Sequence, residues 1–296
     1  MKNIYILGSL NTDLVISSSI PAKGETIRGK DFFMNCGGKG ANQAAATAKL
    51  GGKVYMSGCV GKDAFGKNMK ETLCGFGVDI SYVREIEGVS SGIAMIILTE
   101  GDNRIILDGG ANMRLEISDV DALFANAKAG DIFLTQLENN IEITGYALKK
   151  AKEKGLFTVL NPAPYSAEIL PYLDYCDMVT PNETELALMM GGQGSVDEMA
   201  KKIPIAEVLV TLGGKGYYYC SSDKEIYGAC PKVEPIDTTA AGDTFCGALC
   251  VAISEGKTRE ESFRFASYAA SLAVTKKGAM QSIPMREEVE AELKKT

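Results

Sequence analysis

Histidine is absent from all 296 positions, and no other gap in the composition excludes as much chemistry. Nucleophile triads and most zinc sites use imidazole to move a proton or hold the metal, so the base of any reaction here is a carboxylate or a lysine. Basic residues are in deficit, 31 Lys and Arg against 38 Asp and Glu, for a net charge of -7. That balance argues against a surface built to neutralise a nucleic-acid backbone, and an anionic substrate needs a local positive site. No apolar run approaches the ~20 residues that cross a bilayer, so membrane insertion is not expected. The eight cysteines contain no C-x-x-C pair and lie scattered among apolar residues. Reduced, buried thiols and a cytoplasmic protein are expected. Cys246 and Cys250 stand at an i, i+4 spacing, yet without further ligands they read as core, and no transition metal is expected. The opening MKNIYILGSLNTDLV starts basic and turns apolar like a signal core, but Asn11 and Asp13 interrupt it and no small-residue cleavage pattern follows. It reads as a first strand.

What is present has the proportions of a folded, soluble chain, with 46% hydrophobic and 23% charged residues. The length suffices for a sizeable core in one large α/β domain or two ordinary ones. Short β-branched runs alternate with helical patterns: NIYILG, a helix from about Gly40, VYMSG, a helix after Asp63, then DIFLT, LFTVL, CDMVT and EVLVT. This alternation predicts a largely parallel sheet covered by helices. Two stretches, 12–36 and 91–108, break the rhythm with strand-like segments such as GIAMIILT and RIILD joined by the turn EGDN. They read as a small antiparallel sheet inserted into the body, either a lid over a site or an edge extension of the main sheet. The tail REEVEAELKKT is a charged amphipathic helix with a solvated face. No repeat or linker divides the chain, so 1–296 is taken as one domain.

Three segments carry candidate chemistry. In DTTAAGDTFCGALCVAISEG, residues 237–256, small residues lead into a helix whose first turn holds Asp243. Open N–H groups and the helix dipole there suit an anion, and Asp243 could take a hydroxyl proton or simply favour the helix start. In CGGKGANQAAATAKLG, residues 36–51, Lys39 is followed by Gly40, which a nucleotide P-loop does not allow, and the G-x-G-x-x-G order of a dinucleotide site is missing. Close backbone approach to a small polar ligand, with Lys39 and Asn42 donating, fits better. In VLVTLGGKGYYYC a strand ending at Thr211 meets a glycine-rich turn against which a flat ligand could pack, though such turns are commonly only turns. Asn11, Asp13, Glu138, Asn182 and Glu185 all follow apparent strand C-terminal ends, the edge of a parallel sheet where ligands bind.

This combination, with GGKGANQA at 37–44 and DTTAAGDTF at 237–245, resembles the ribokinase or PfkB-type family of carbohydrate kinases over essentially the whole chain. The resemblance implies a ribokinase-like α/β fold: a Rossmann-like, mostly parallel central sheet flanked by helices, with a small inserted lid. It implies transfer of the γ-phosphoryl of MgATP to the 5-hydroxyl of a pentose, D-ribose first, with Asp243 as base and Ala241 and Gly242 beside it in the anion hole. Asn11, Asp13, Gly38, Lys39, Asn42 and Glu138 would hold the sugar. Asn182 would contact phosphate and Glu185 magnesium through water, while Thr211, Gly213, Gly216, Gly242 and Ser267 would line the nucleotide. A monovalent cation, potassium, would sit against Asp237, Thr239, Ala273, Lys276, Gly278 and Ser282, largely through backbone oxygens. Two departures stand out. The commoner G-A-G-D reads A-A-G-D at Ala240, which keeps the turn if φ there is negative, and Ser267 replaces a longer polar residue near the adenine. The rivals are a kinase of deoxyribose, fructose or a nucleoside, a non-catalytic sugar sensor on the same scaffold, and a Rossmann dehydrogenase. The inserted strands suggest a homodimer through the lid. Neither nucleic acid nor membrane is expected as a partner.

Overall fold

In a computed structural model, residues 1–99, 102–192 and 194–295 are described. The alternating apolar runs become a nine-stranded sheet. Seven parallel strands, β1 (Ile4–Leu7), β4 (Val54–Gly61), β5 (Asp79–Ile86), β8 (Ile132–Thr135), β9 (Phe157–Leu160), β10 (Met178–Val179) and β11 (Glu207–Thr211), are extended antiparallel by β12 (Tyr217–Ser221) and β13 (Glu225–Gly228). The order across the sheet is β13-β12-β11-β10-β9-β8-β1-β4-β5. β1 is third from the β5 edge and is buried at every position. Its side chains alternate between two cores, Ile4 and Ile6 on one face, Tyr5 and Leu7 on the other, as a strand covered on both sides requires.

Helices α1 (Lys39–Lys49), α2 (Ala64–Gly75), α7 (Ala241–Ser254), α8 (Arg259–Ala273) and α9 (Arg286–Leu293) cover the first face, contributing Ala44, Met69, Leu249, Phe263 and Val289. Helices α3 (Ile117–Leu123), α4 (Ile141–Glu153), α5 (Glu183–Met190) and α6 (Val196–Ala200) cover the second with Val120, Leu148, Leu186 and Met199. Side-chain caps fix several starts: Asp63 accepts from Gly66 N at 2.8 Å and Asn140 from Glu142 N at 2.9 Å.

The chain between β1 and α1 forms the hairpin β2 (Asn11–Ser17) and β3 (Lys30–Gly37), and β6 (Gly92–Thr99) pairs with β7 (Asp102–Asp108). Each pair is antiparallel, and the two pairs join through a parallel contact between β2 and β6 to give the order β3-β2-β6-β7. The parallel seam has a simple origin, because β2 and β6 each follow a strand of the main sheet, β1 and β5, and leave the same C-terminal edge in the same direction. The expected turn EGDN begins at Glu100 and Gly101, which lie outside the described residues. Register puts Leu14, Met34, Met95 and Ile106 in one row across all four strands.

Among the described residues no cysteine is paired. Six are buried, but Cys74 is exposed and Cys230 half-exposed, so the expectation of uniformly buried thiols holds for the core helices and strands and fails on the exposed side of α2 and in the loop after β13.

Candidate active site

The C-terminal edge of the parallel strands carries a concentration of polar groups, of which Ser9, Gln136, Asn161 and Thr180 are buried. Ser9 follows β1, Gln136 and Glu138 follow β8, Asn161 follows β9, Thr180 and Asn182 follow β10, and Thr211 ends β11. Beside them opens a cavity of about 220 Å³ lined by Lys39, Asn161, Asn182, Glu185, Thr211, Gly242 and Asp243, among others.

Two packing arrangements bring α1 and α7 to this edge. The GGKG segment turns into α1 through Gly38, whose φ is +88°, a conformation that favours glycine. Gly40 then lies so close to the end of β1 that an added Cβ would sit 2.5 Å from Gly8. Further along, Gly247 lets α7 approach the alanine face of α1, where a Cβ would meet Ala46 Cβ at 2.7 Å and Gln43 O at 2.8 Å. The first turns of the two helices are thereby held side by side.

Asp243 is the third residue of α7 and is buried. Its Oδ2 accepts from Asn42 Nδ2 at 2.9 Å and its Oδ1 from Gln43 Nε2 at 3.1 Å. Burial pushes its carboxyl above the ordinary range, opposed by the nearby Lys39 ammonium and the Asn42 donor. Burial alone would lower Lys39, but the carboxylates of Asp243, Glu138 and Glu185 outweigh it and hold the ammonium charged. Glu138 is fixed by Ser9 Oγ at 2.5 Å and the Lys39 N–H at 3.1 Å, and its second oxygen lies 4.0 Å from Lys39 Nζ. Asp13, on β2, is raised to about 7 by burial and by the charges of Glu138 and Asp243. Asn11 is buried, and its Oδ1 accepts from Asn112 Nδ2 at 2.7 Å.

The N–H groups of Gly242 and Asp243 are among those a helix leaves without a partner of its own, and both residues line the cavity. Ala240 caps this helix with φ +59°, so the negative φ on which the sequence argument relied is not adopted. A left-handed alanine costs roughly 1–2 kcal/mol; the turn is kept because the Thr244 N–H and Oγ both donate to Ala240 O at 2.8 Å.

Asn182 and Glu185 form a reciprocal capping box at α5, Asn182 N to Glu185 Oε2 at 2.9 Å and Glu185 N to Asn182 Oδ1 at 2.8 Å. Each keeps a further acceptor or donor on its cavity side chain. Burial raises the Glu185 carboxyl, opposed by the Asn182 N–H and Lys39. Thr211 lines the cavity, whereas Gly213 lies in the exposed turn beyond it and Gly216 closes that turn with φ +106°. Ser267 is buried in α8 and does not line the cavity.

The residues expected around a monovalent cation come from two segments. Asp237 accepts from Thr239 N at 2.9 Å and from Gly278 N at 3.0 Å; burial raises its carboxyl, but these donors outweigh it and hold it low. Ile236 and Asp237 donate to Val274 O, next to Ala273. Ser282 is buried with its hydroxyl on Ala279 O, and the Lys276 ammonium is taken by Glu288 at 2.7 Å. Among the described residues no group of three or more His, Cys, Asp or Glu side chains is arranged to hold a metal ion.

Gln43, Ser9, Gln136, Asn161 and Asn112 escaped the sequence argument although all are wired into this site. Three of them follow a strand end, the same signal that singled out Asn11 and Glu138.

The sequence pattern of the pfkB family carbohydrate kinases matches residues 1–286. The chain is 41% identical to a ribokinase of Schizosaccharomyces pombe, over 98% of this chain and 97% of that one. It is 40% identical to a ribokinase of Haemophilus influenzae, with 97% of each covered. Among solved structures it superimposes on Arabidopsis thaliana ribokinase complexed with ribose and ATP with a TM-score of 0.90, at 37% identity and 99% coverage of both chains.

Proposed function

From the premise that this chain belongs to the pfkB family of carbohydrate kinases, we propose that it transfers the γ-phosphoryl of ATP to the 5-hydroxyl of D-ribose, giving ribose 5-phosphate and ADP. The observation that carries the chemistry is Asp243. It is a buried carboxylate held by two amide donors at a helix start whose free N–H groups line the same cavity as Lys39. Asp243 takes the proton of the attacking hydroxyl, and the Gly242 and Asp243 N–H groups with Ala241 at the helix start stabilise charge on the transferring phosphoryl. Lys39 adds the local positive charge that an acidic protein needs for a phosphate.

The electrostatics support the substrate pair. Glu138, Glu185 and Asp243 surround one ammonium, with Asp13 beside Glu138 and Asp243, which suits a neutral polyol and a phosphate that arrives already complexed with a cation. Asn11, Asp13, Gly38, Lys39, Asn42 and Glu138 are the sugar-binding set in this reading. Thr211, Gly213, Gly216 and Asn182 serve the nucleotide, with Glu185 reaching magnesium through water. Asp237 is kept anionic; with the backbone oxygens of Ala273, Lys276 and Gly278 it would make an all-oxygen donor set for a potassium ion, and a bound cation there orders the loop preceding α7. The small sheet acts as a lid, and its exposed row of Met34, Met95 and Ile106 supports pairing with a second copy of the chain.

Coupled ADP release with ribose, 2-deoxyribose, fructose and nucleosides tests the assignment, with ribose expected to lead by kcat/KM; preference for deoxyribose would overturn it. Asp243→Asn should lower kcat by at least about 100-fold with ribose affinity nearly unchanged, and an unimpaired variant would remove Asp243 as base.

A further inference from the structure

The hydrogen bonds behind Asp243 form a chain whose polarity is set from its far end. The carbonyl oxygen of Thr180 can only accept, and it takes a proton of Asn161 Nδ2 at 3.0 Å. Asn161 therefore presents Oδ1 to Gln43, which meets it with Nε2 at 3.2 Å. Gln136 meets the other end of that amide in the matching orientation, donating from Nε2 to Gln43 Oε1 at 2.6 Å. Gln43 Nε2 is then the donor to Asp243 Oδ1 at 3.1 Å. Gln43 and Gln136 are fully buried; both amide atoms of Gln43 are bonded, whereas Gln136 Oε1 has no hydrogen-bond partner, and Gln43 does not line the cavity. Its polar end serves the protein and has no direct part in the cavity wall.

We propose that Gln43, locked by Asn161 and Gln136, is the positioning residue of the catalytic carboxylate, holding Asp243 in one rotamer as an acceptor so that its remaining lone pairs meet the sugar hydroxyl. This rests on the assignment of Asp243 as base. A donor on a carboxylate favours its charged form, so removing it has a signature in the pH dependence of turnover. The other charged or titratable groups facing Asp243 are Lys39 on α1, Glu138 after β8, Asp13 on β2, Glu185 on α5 and Cys246 on α7. All are retained when Gln43 is changed.

The experiment is steady-state kinetics of the full chain with ATP and ribose across pH, for the native protein and for Gln43→Met, Gln43→Glu, Gln136→Met and Asp243→Asn. Gln43→Met should lower kcat at least about 10-fold, leave the ribose KM within about twofold, and move the acid limb of kcat up by about one pH unit. Gln43→Glu keeps shape and polarity but adds a like charge, and should move the limb further in the same direction. Gln136→Met, one bond further out, should give a smaller shift of the same sign. If Gln43→Met fails to fold, Gln43→Glu carries the same readout. Native kcat and a native acid limb in the Gln43 variants, with only a lowered melting temperature, would reduce Gln43 to a packing residue and overturn the proposal. Near-native turnover by Asp243→Asn would instead sink the base assignment beneath it.

Discussion

The two sheets put similar side chains to different use. In the nine-stranded sheet Ile4, Ile6, Leu7, Phe133 and Leu134 are 0% exposed, each under helices. In the four-stranded sheet Met34 is 54%, Met95 47% and Ile106 62% exposed, and Phe33 and Leu107 on the opposite face are exposed as well. The first sheet completes its own core, so its stability is internal. The second leaves apolar surface on both faces, which a monomer rarely does without a ligand or partner to cover it. The candidate site lies where the two meet, with Asp243 contributed by a helix that covers the main sheet and Asp13 by a strand of the small sheet.

Truncation should separate the two regions most widely. Phe133 packs edge to face on Phe124 at 5.0 Å, and Phe133→Ala should lower unfolding free energy by about 3–5 kcal/mol in a denaturant titration. Ile106→Ala should change monomer stability by less than about 0.5 kcal/mol while weakening self-association by light scattering. Equal costs at the two positions would erase the distinction.

The pH response of the small sheet comes next in size. Because the Asp13 carboxyl is raised to about 7 from its ordinary value near 4, the folded state keeps a proton that the unfolded chain has lost. Stability of the free enzyme should therefore fall as pH rises between those values, level off above the folded pKa, and lose this component in Asp13→Asn. Ribose affinity should move oppositely, improving as Asp13 becomes a full acceptor. A melting temperature unaffected by Asp13→Asn across that window would count against it.

The smallest effect belongs to the main body. Ala240→Gly relieves a residue at φ +59° and should raise stability by about 1 kcal/mol. A lower melting temperature in that variant would mean that the greater freedom of glycine in the unfolded chain outweighs the strain.

Long apolar strands and capped helices were legible because their signals are local. NIYILG, DIFLT and EVLVT, the Asp63 cap and the small-residue start of α7 all describe a few adjacent residues. β5 was missed because an edge strand needs little burial, and in DISYVREI only Val83 is buried. β13 was missed for a similar reason, with no fully buried position among its four. Asp243, Lys39, Asn42 and Glu138 were legible through motif and strand-end position; Gln43 was adjacent to that motif and still overlooked. Nothing in the order GANQA says which of Asn42 and Gln43 contacts Asp243, and in the fold both do.

By itself the sequence limited the available base to a carboxylate or a lysine, in a protein without histidine, and set the succession of elements, since hydrophobic period and capping act over a few residues. Tertiary structure alone decided the parallel seam between β2 and β6 and the convergence of Gln136, Gln43 and Asn161 behind Asp243. Those depend on groups separated by up to 200 positions, as in the bond from Gln43 to Asp243, and only packing of α1 against α7 brings such groups within hydrogen-bond reach.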